Sequence, residues 1–231
     1  MNTSCSRHIA LIIAVVLSAP LTVSAGEVSL SLGGRINKPV RSFQEIRQTR
    51  VVQQRWDNSC GSAALSTLLT YYYGDKVSES LIITSILHRT DPQKVRNRGG
   101  FSLLDLKRFV ELRGYQGKGY AGLTLEEMAM MGIPAIVPVR IQDYDHFVLF
   151  RGIRGNRIVL SDPISGTTTM TSDRFQEIWK NGIAFIVVRQ NAMPPSDTLA
   201  PEEEDFRIPD GIAITRSLLR TGITPLTRNG L

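Results

Sequence analysis

The sequence predicts an α+β fold in which N-terminal helices pack on an antiparallel β-sheet. Two observations carry that reading. Between Cys60 and His88 apolar residues recur at helical spacing, whereas from Ala135 onward short β-branched runs alternate with turn residues. Helices first and strands afterwards is the order of an α+β domain rather than of repeated βαβ units. Composition agrees. The 231 residues are 42% hydrophobic and 21% charged, enough for one globular domain with a buried core and appendages.

Residues 1–25 read as a secretory signal. Arg7 precedes the apolar run Ile9 to Leu17, Pro20 breaks the helix, and Val23-Ser24-Ala25 supplies small residues for cleavage after Ala25. The run is shorter than the roughly 20 residues of a spanning helix. The expected product is therefore periplasmic, with no stable membrane span after signal cleavage; an uncleaved anchor is the alternative. Cys5 lies ahead of the apolar run and so is not the acylated cysteine of a lipoprotein signal.

Residues 26–50 form an N-terminal extension in which Glu27 to Leu32 alternates at period two before Gly33-Gly34, as a short strand and turn would. The main domain is expected over 51–190. Its first helix starts at Cys60 and places Ala63, Ala64, Leu65, Leu68, Leu69 and Tyr72 on helical spacing, with Gly74 as the stop. A second helix covers Ser78 to His88. Ser102 with Asp105 opens a third, which ends at Gly114, and Thr124 with Glu127 forms a capping box for a fourth. Strands are expected at Ala135–Arg140, His146–Gly152 and Arg157–Ser161. A helix near Ser172–Lys180 and a strand at Ile183–Arg189 close the domain. Pro194-Pro195, Pro201 and the acidic run Glu202 to Asp205 mark 191–231 as linker and C-terminal tail.

The charge pattern narrows the partners. Arg7 is the one charged residue in the signal, so the mature chain stays basic. Its Lys and Arg are scattered and no basic run is interleaved with aromatics, so nucleic acid is not an expected partner. Removal of the signal leaves one cysteine, Cys60, and two histidines, His88 and His146. A lone thiol in an oxidising compartment forms no internal disulfide. It is either a buried structural residue or a reactive one.

The surroundings favour reactivity. Cys60 opens a helix, where the free N–H groups favour thiolate, and Gly61, Ser62 and Ala63 leave room beside it. Gln54, six residues earlier, can donate its amide to a developing oxyanion together with the Cys60 N–H. It can equally be a surface glutamine, as Gln53 beside it illustrates. His88 lies at a helix end beside Arg89, a position that suits the helix dipole. His146 follows Asp143-Tyr144-Asp145 and opens the strand Phe147 to Phe150, so it is the better base. A metal at Asp143, Asp145 and His146 is the competing reading, but one short cluster offers few dependable ligands. Asp162, after the strand that pairs with that of His146, is placed to orient an imidazole or simply to make an Asp-Pro turn.

Taken together, Gln54-Arg55-Trp56-Asp57-Asn58-Ser59-Cys60-Gly61-Ser62-Ala63-Ala64, His146-Phe147-Val148 and Ser161-Asp162-Pro163 resemble the peptidase C39 family. This is the papain-like family known for the leader-cutting domain of bacteriocin exporters. The resemblance spans about Val51 to Val188. It implies a papain-like cysteine peptidase fold, no metal or organic cofactor, and a peptide or protein substrate. By it, Cys60 is the nucleophile, His146 the base, Asp162 the orienting carboxylate and Gln54 the oxyanion donor. Many exporter-type members carry Asp directly before the cysteine, where Ser59 stands here, and this chain carries no ATPase portion. The stretch Gly100 to Lys107 and the Phe175–Trp179 helix are similar to a stand-alone exported branch, the C39-like peptidases of functional-amyloid (Fap) secretion systems. That branch implies an amyloid subunit or a secretion component as substrate. A non-catalytic peptide-binding module and a cell-wall amidase are the alternatives from other classes.

Overall fold

The computed structural model describes residues 41–141, 143–189 and 199–207. The expected signal and the alternating segment at 27–32 lie outside the described residues. Six strands form one antiparallel sheet: β1 (Tyr115–Tyr120), β2 (Ala135–Ile141), β3 (Tyr144–Arg154), β4 (Arg157–Asp162), β5 (Gly166–Thr171) and β6 (Ala184–Arg189). Their spatial order is β1-β6-β2-β3-β4-β5. The α+β class expected from the sequence is the class observed.

Period-two alternation divides the sheet into two apolar faces. Ile136, Leu149, Phe185 and Val187 face a core shared with the N-terminal helices. Val137, Val139, Val148, Phe150, Ile158, Leu160 and Ile186 face a second core. The first is filled from α2 (Cys60–Thr67), α3 (Glu79–Leu87) and α5 (Leu103–Leu112), whose Leu65, Ile82 and Leu106 are fully buried. The second is closed by Leu125 and Met128 of α6 (Leu125–Met131) and by Phe175 and Ile178 of α7 (Ser172–Ile178). Each such side chain contributes about 1.5–3 kcal/mol when taken wholly out of water.

Helix α2 runs on into a single π-turn, Leu68–Tyr72, closed by the Tyr73 N–H donating to the Leu68 carbonyl at 3.4 Å. Leu68, Leu69 and Tyr72 are all buried there. The sequence pattern reads this as plain helix because the wider turn keeps the same residues inward. Two further short helices, α1 (Phe43–Gln48) and α4 (Pro92–Arg98), and a 3-10 turn at Glu203–Arg207 complete the helical set among the described residues.

The acidic stretch read as linker is packed onto the sheet. At Arg151 the β3–β4 register slips by one residue between Phe150 and Gly152. This bulge turns the Arg151 side chain inward, where it is fully buried and paired with Asp205 at 2.9 Å. It also donates to the carbonyls of Leu199 at 2.6 Å and Ala200 at 3.1 Å. Gly152 has φ +154, and a Cβ there would sit 2.9 Å from Pro201. Arg50 pairs with Glu202 at 2.6 Å, and Arg154 with Glu203 at 2.9 Å. The charges that make 202–205 look solvated are thus complements to three arginines of the domain.

Candidate active site

The helical layer and the sheet each supply part of the site. Cys60 is the first residue of α2 and is a buried free thiol. Gly61 lets α2 settle against β3, because a Cβ there would meet Phe147 at 3.3 Å and Leu106 at 3.4 Å. The gap that the sequence reserves for a substrate is thus occupied by a core side chain.

His146 lies on β3 and is buried. Its Nε2–H donates to Asp162 Oδ1 at 2.8 Å, while Nδ1 is buried without a hydrogen-bond partner. The tautomer is assigned from that bond. A neutral ring so held carries its proton on Nε2 and leaves the Nδ1 lone pair free. Burial opposes a charge on the ring, but the hydrogen bond to Asp162, the adjacent Cys60 thiol and the Asp162 charge prevail and raise its pKa to about 9. Asp162 ends β4. Burial pushes its pKa up, but His146, the Ser165 hydroxyl at 2.6 Å and the Ile164 N–H at 2.8 Å together hold it below the ordinary carboxylate value. It therefore orients the imidazole and makes the Asp-Pro turn at once.

Gln54 is drawn in by the same turn, since its backbone N–H donates to the Pro163 carbonyl at 2.9 Å. Its side-chain Nε2 donates weakly to the Trp56 carbonyl at 3.3 Å, and its Oε1 is buried with no partner. One amide proton therefore remains unclaimed. The four residues singled out in the sequence thus fall on three segments joined by the Asp162–Ser165 turn and the α2–β3 packing.

Two groups outside that set belong to the same region. Tyr144, two residues before His146 on β3, shares its face, and the two rings lie 6.0 Å apart. Burial raises the Tyr144 pKa, with smaller contributions from Cys60 and Asp57. Period-two alternation from His146 is the signal that finds it. Gly100 abuts the loop before Cys60; a Cβ there would lie 2.8 Å from the Asn58 carbonyl, so only glycine permits the approach. A polar cavity of about 670 Å³ lined by Gln54, Arg55, Lys76 and Glu79 adjoins one part of this loop. An apolar recess of about 370 Å³ lined by Trp56, Ile83, Leu87, Val95 and Phe101 adjoins the rest.

The rival assignments are placed elsewhere. His88 is the C-cap residue of α3. Asp143 and Asp145 are exposed and directed to Arg140 at 3.7 Å and Lys180 at 2.8 Å, while the His146 ring turns to Asp162. Among the described residues no three His, Cys, Asp or Glu side chains gather as metal ligands. No helix among them is long and apolar enough to cross a membrane.

The raised imidazole pKa has a direct consequence. A group whose pKa is higher folded than unfolded lends stability that is fully present below its unfolded value and lost as pH rises through the folded one. Here the window runs from about 6.5 to about 9. Asp162→Asn is expected to lower the melting temperature most near pH 6, with the gap from the parent closing above pH 9. A gap constant across that range, measured by calorimetry, would show that the carboxylate does not hold the imidazolium.

Helices packed on this antiparallel sheet, with the thiol on a helix and the imidazole–carboxylate pair on strands, give the fold of papain-like peptidases. The chain belongs to the peptidase C39 family, whose model matches residues 48–192. It is 37% identical over 196 residues to the "Probable functional amyloid protease FapD" of Pseudomonas aeruginosa, covering 84% of this chain and 85% of that one. It is 34% identical over 210 residues to the protein of the same name from Pseudomonas fluorescens, covering 87% and 92%. Among solved structures, the peptidase domain of Streptococcus ComA, a bi-functional ABC transporter, matches with a TM-score of 0.51 and 25% identity, over 61% of this chain and 98% of that one. A double-glycine-motif protease from an AMS/PCAT transporter, solved with its leader peptide, shares the fold with a TM-score of 0.50 and 23% identity, over 61% and 91%.

Proposed function

We propose that this peptidase is an exported cysteine endopeptidase that cuts a secreted protein or leader peptide of a functional-amyloid secretion system. The observation that carries the catalytic part is the His146 ring, clamped through Nε2 to Asp162 with Nδ1 unclaimed and Cys60 within electrostatic reach. Nδ1 takes the thiol proton, and the sulfur adds to the scissile carbonyl carbon. The oxygen gathers negative charge against the Cys60 N–H and the Gln54 amide. His146 returns the proton to the departing amine, and water hydrolyses the thioester by the reverse sequence. The imidazolium left by that first transfer, the form its raised pKa favours at neutral pH, is stabilised by Asp162. No step calls for a metal or an organic cofactor. The substrate class rests on the two relatives of known name, and the periplasmic location on the signal-like residues 1–25.

The test is alkylation of Cys60 by iodoacetamide across pH, with Cys60→Ala and His146→Ala alongside, followed by incubation with the amyloid subunit. Rapid labelling near pH 7 that His146→Ala loses, together with a discrete cut that Cys60→Ala abolishes, is the expected result. Labelling only above about pH 8.5, the value of an unperturbed thiol, would instead make the protein a peptide-binding module. Release of amide products from peptidoglycan would make it a cell-wall amidase.

A further inference from the structure

Seven α-helices are described, and six of them are capped at the N-terminus by a side chain. Ser42, Ser78, Asp91, Ser102, Thr124 and Thr171 each accept a hydrogen bond from a backbone N–H of the following turn. The exception is α2, which begins at Cys60. Its N-cap residue is a serine, Ser59, a favoured type for the task, yet its side chain makes no cap bond.

The reason lies on another helix. Glu79 is the first residue of α3 and is 4% exposed. It accepts the Ser59 hydroxyl at 2.6 Å and the Arg55 backbone N–H at 3.3 and 3.2 Å. The Ser59 hydroxyl also lies 2.6 Å from the Trp56 carbonyl, so its single proton is shared between that oxygen and Glu79. Among the described residues no cation pairs with Glu79, so a carboxylate has been taken out of water for these contacts alone. Burial of that kind is costly and persists where the contacts matter.

We infer that Glu79 is a positioning residue: by tying down the Arg55 N–H and the Ser59 hydroxyl, it holds Ser59 at ψ 8°, outside the extended conformation of a capping serine, and so reserves the first-turn N–H groups of α2 for the Cys60 thiolate. This rests on Cys60 being the nucleophile. A capped helix offers its end to its own serine, whereas an open one offers the positive end of its dipole to whatever anion sits there. Glu79 touches neither substrate nor sulfur and acts through Ser59.

The two positions separate this role from mere support of the loop. In the full-length protein, Glu79→Ala frees the loop from Arg55 to Ser59, letting Ser59 turn from ψ 8° to the extended conformation that caps α2, and is expected to slow Cys60 alkylation at pH 7 by about five- to tenfold. Ser59→Ala alone removes the cap acceptor and is expected to label within about twofold of the parent, since no cap can form. The double variant Glu79→Ala/Ser59→Ala is expected to recover the parental rate to within about twofold. A double variant as slow as Glu79→Ala overturns the proposal, as does Glu79→Ala labelling at the parental rate. Should Glu79→Ala fail to fold, Glu79→Gln supplies the same comparison: about threefold slowing, recovered by Ser59→Ala, with no recovery as the overturning result. If the parent itself shows no His146-dependent labelling, the catalytic reading fails instead, and the two failures are told apart by that one curve.

Discussion

Gln54→Ala is expected to lower turnover of a peptide substrate by about 10²–10³-fold with KM changed little, the signature of a donor that acts on the transition state. The local structure makes this a clean substitution. The backbone N–H of Gln54 that bonds the Pro163 carbonyl is kept in the alanine variant, so the segment stays attached to the Asp162 turn. What is lost is an amide whose one bond, to the Trp56 carbonyl at 3.3 Å, is long and whose Oε1 has no partner. Alkylation by iodoacetamide passes through no oxyanion, so its rate should be unaffected by the same change. If turnover and alkylation fell together, Gln54 would be supporting the thiol rather than the intermediate.

Arg151→Leu carries the largest expected effect on stability. The guanidinium is fully buried and holds both carboxylate oxygens of Asp205 and two backbone carbonyls. Removing one member of a buried ion pair leaves the other uncompensated, at a cost of about 3–5 kcal/mol. For a domain of this size that is a fall in melting temperature on the order of 10 °C. Adding Asp205→Leu removes the stranded charge as well and should regain part of the loss. If the double variant melted lower than the single one by the full cost of a second independent defect, the pair would not be coupled, and the docking of 199–207 would rest on other contacts.

Much of this domain was legible because local chemistry and tertiary packing agree. The N-cap at Ser102 and the capping box at Thr124–Glu127 are present as read, Asp105 completing a box at the first as well, and each opens a helix that buries the apolar stripe beneath it. The strands β2, β3, β4 and β6 were visible as β-branched runs because they are covered on both faces. The elements that escaped are those whose side chains say little about burial. In β1 the sequence Tyr115–Tyr120 contains two glycines, and Gly117 lies where a Cβ would meet Phe185 at 2.9 Å. In β5 the run Gly166–Thr171 is threonine-rich, as suits an outer strand. Helix α4 buries only Val95, so its Asp91-Pro92 start and Gly99 stop had no periodic pattern between them.

The candidate site divides in the same way. Cys60, His146 and Asp162 could be found because each sits at the start or end of an element whose type the sequence declares. Glu79 could not. A glutamate in the first turn of a helix is explained locally by the dipole, and nothing nearby in sequence reveals that it reaches Ser59, twenty residues away. The acidic run 202–205 misled for the opposite reason: composition reports charge, and only the fold shows that the arginines matching it lie at 50, 151 and 154.

The division of the site between two layers also governs when the chain becomes dangerous. The thiol belongs to the early helical segment, while the imidazole and its carboxylate arrive on strands synthesised much later. Contacts between parts so distant in sequence form late in folding. Until the sheet closes against α2, Cys60 has no imidazole beside it. Assembly of the thiol–imidazole–carboxylate cluster is thus coupled to completion of the fold itself, so that a partly folded chain does not yet possess it.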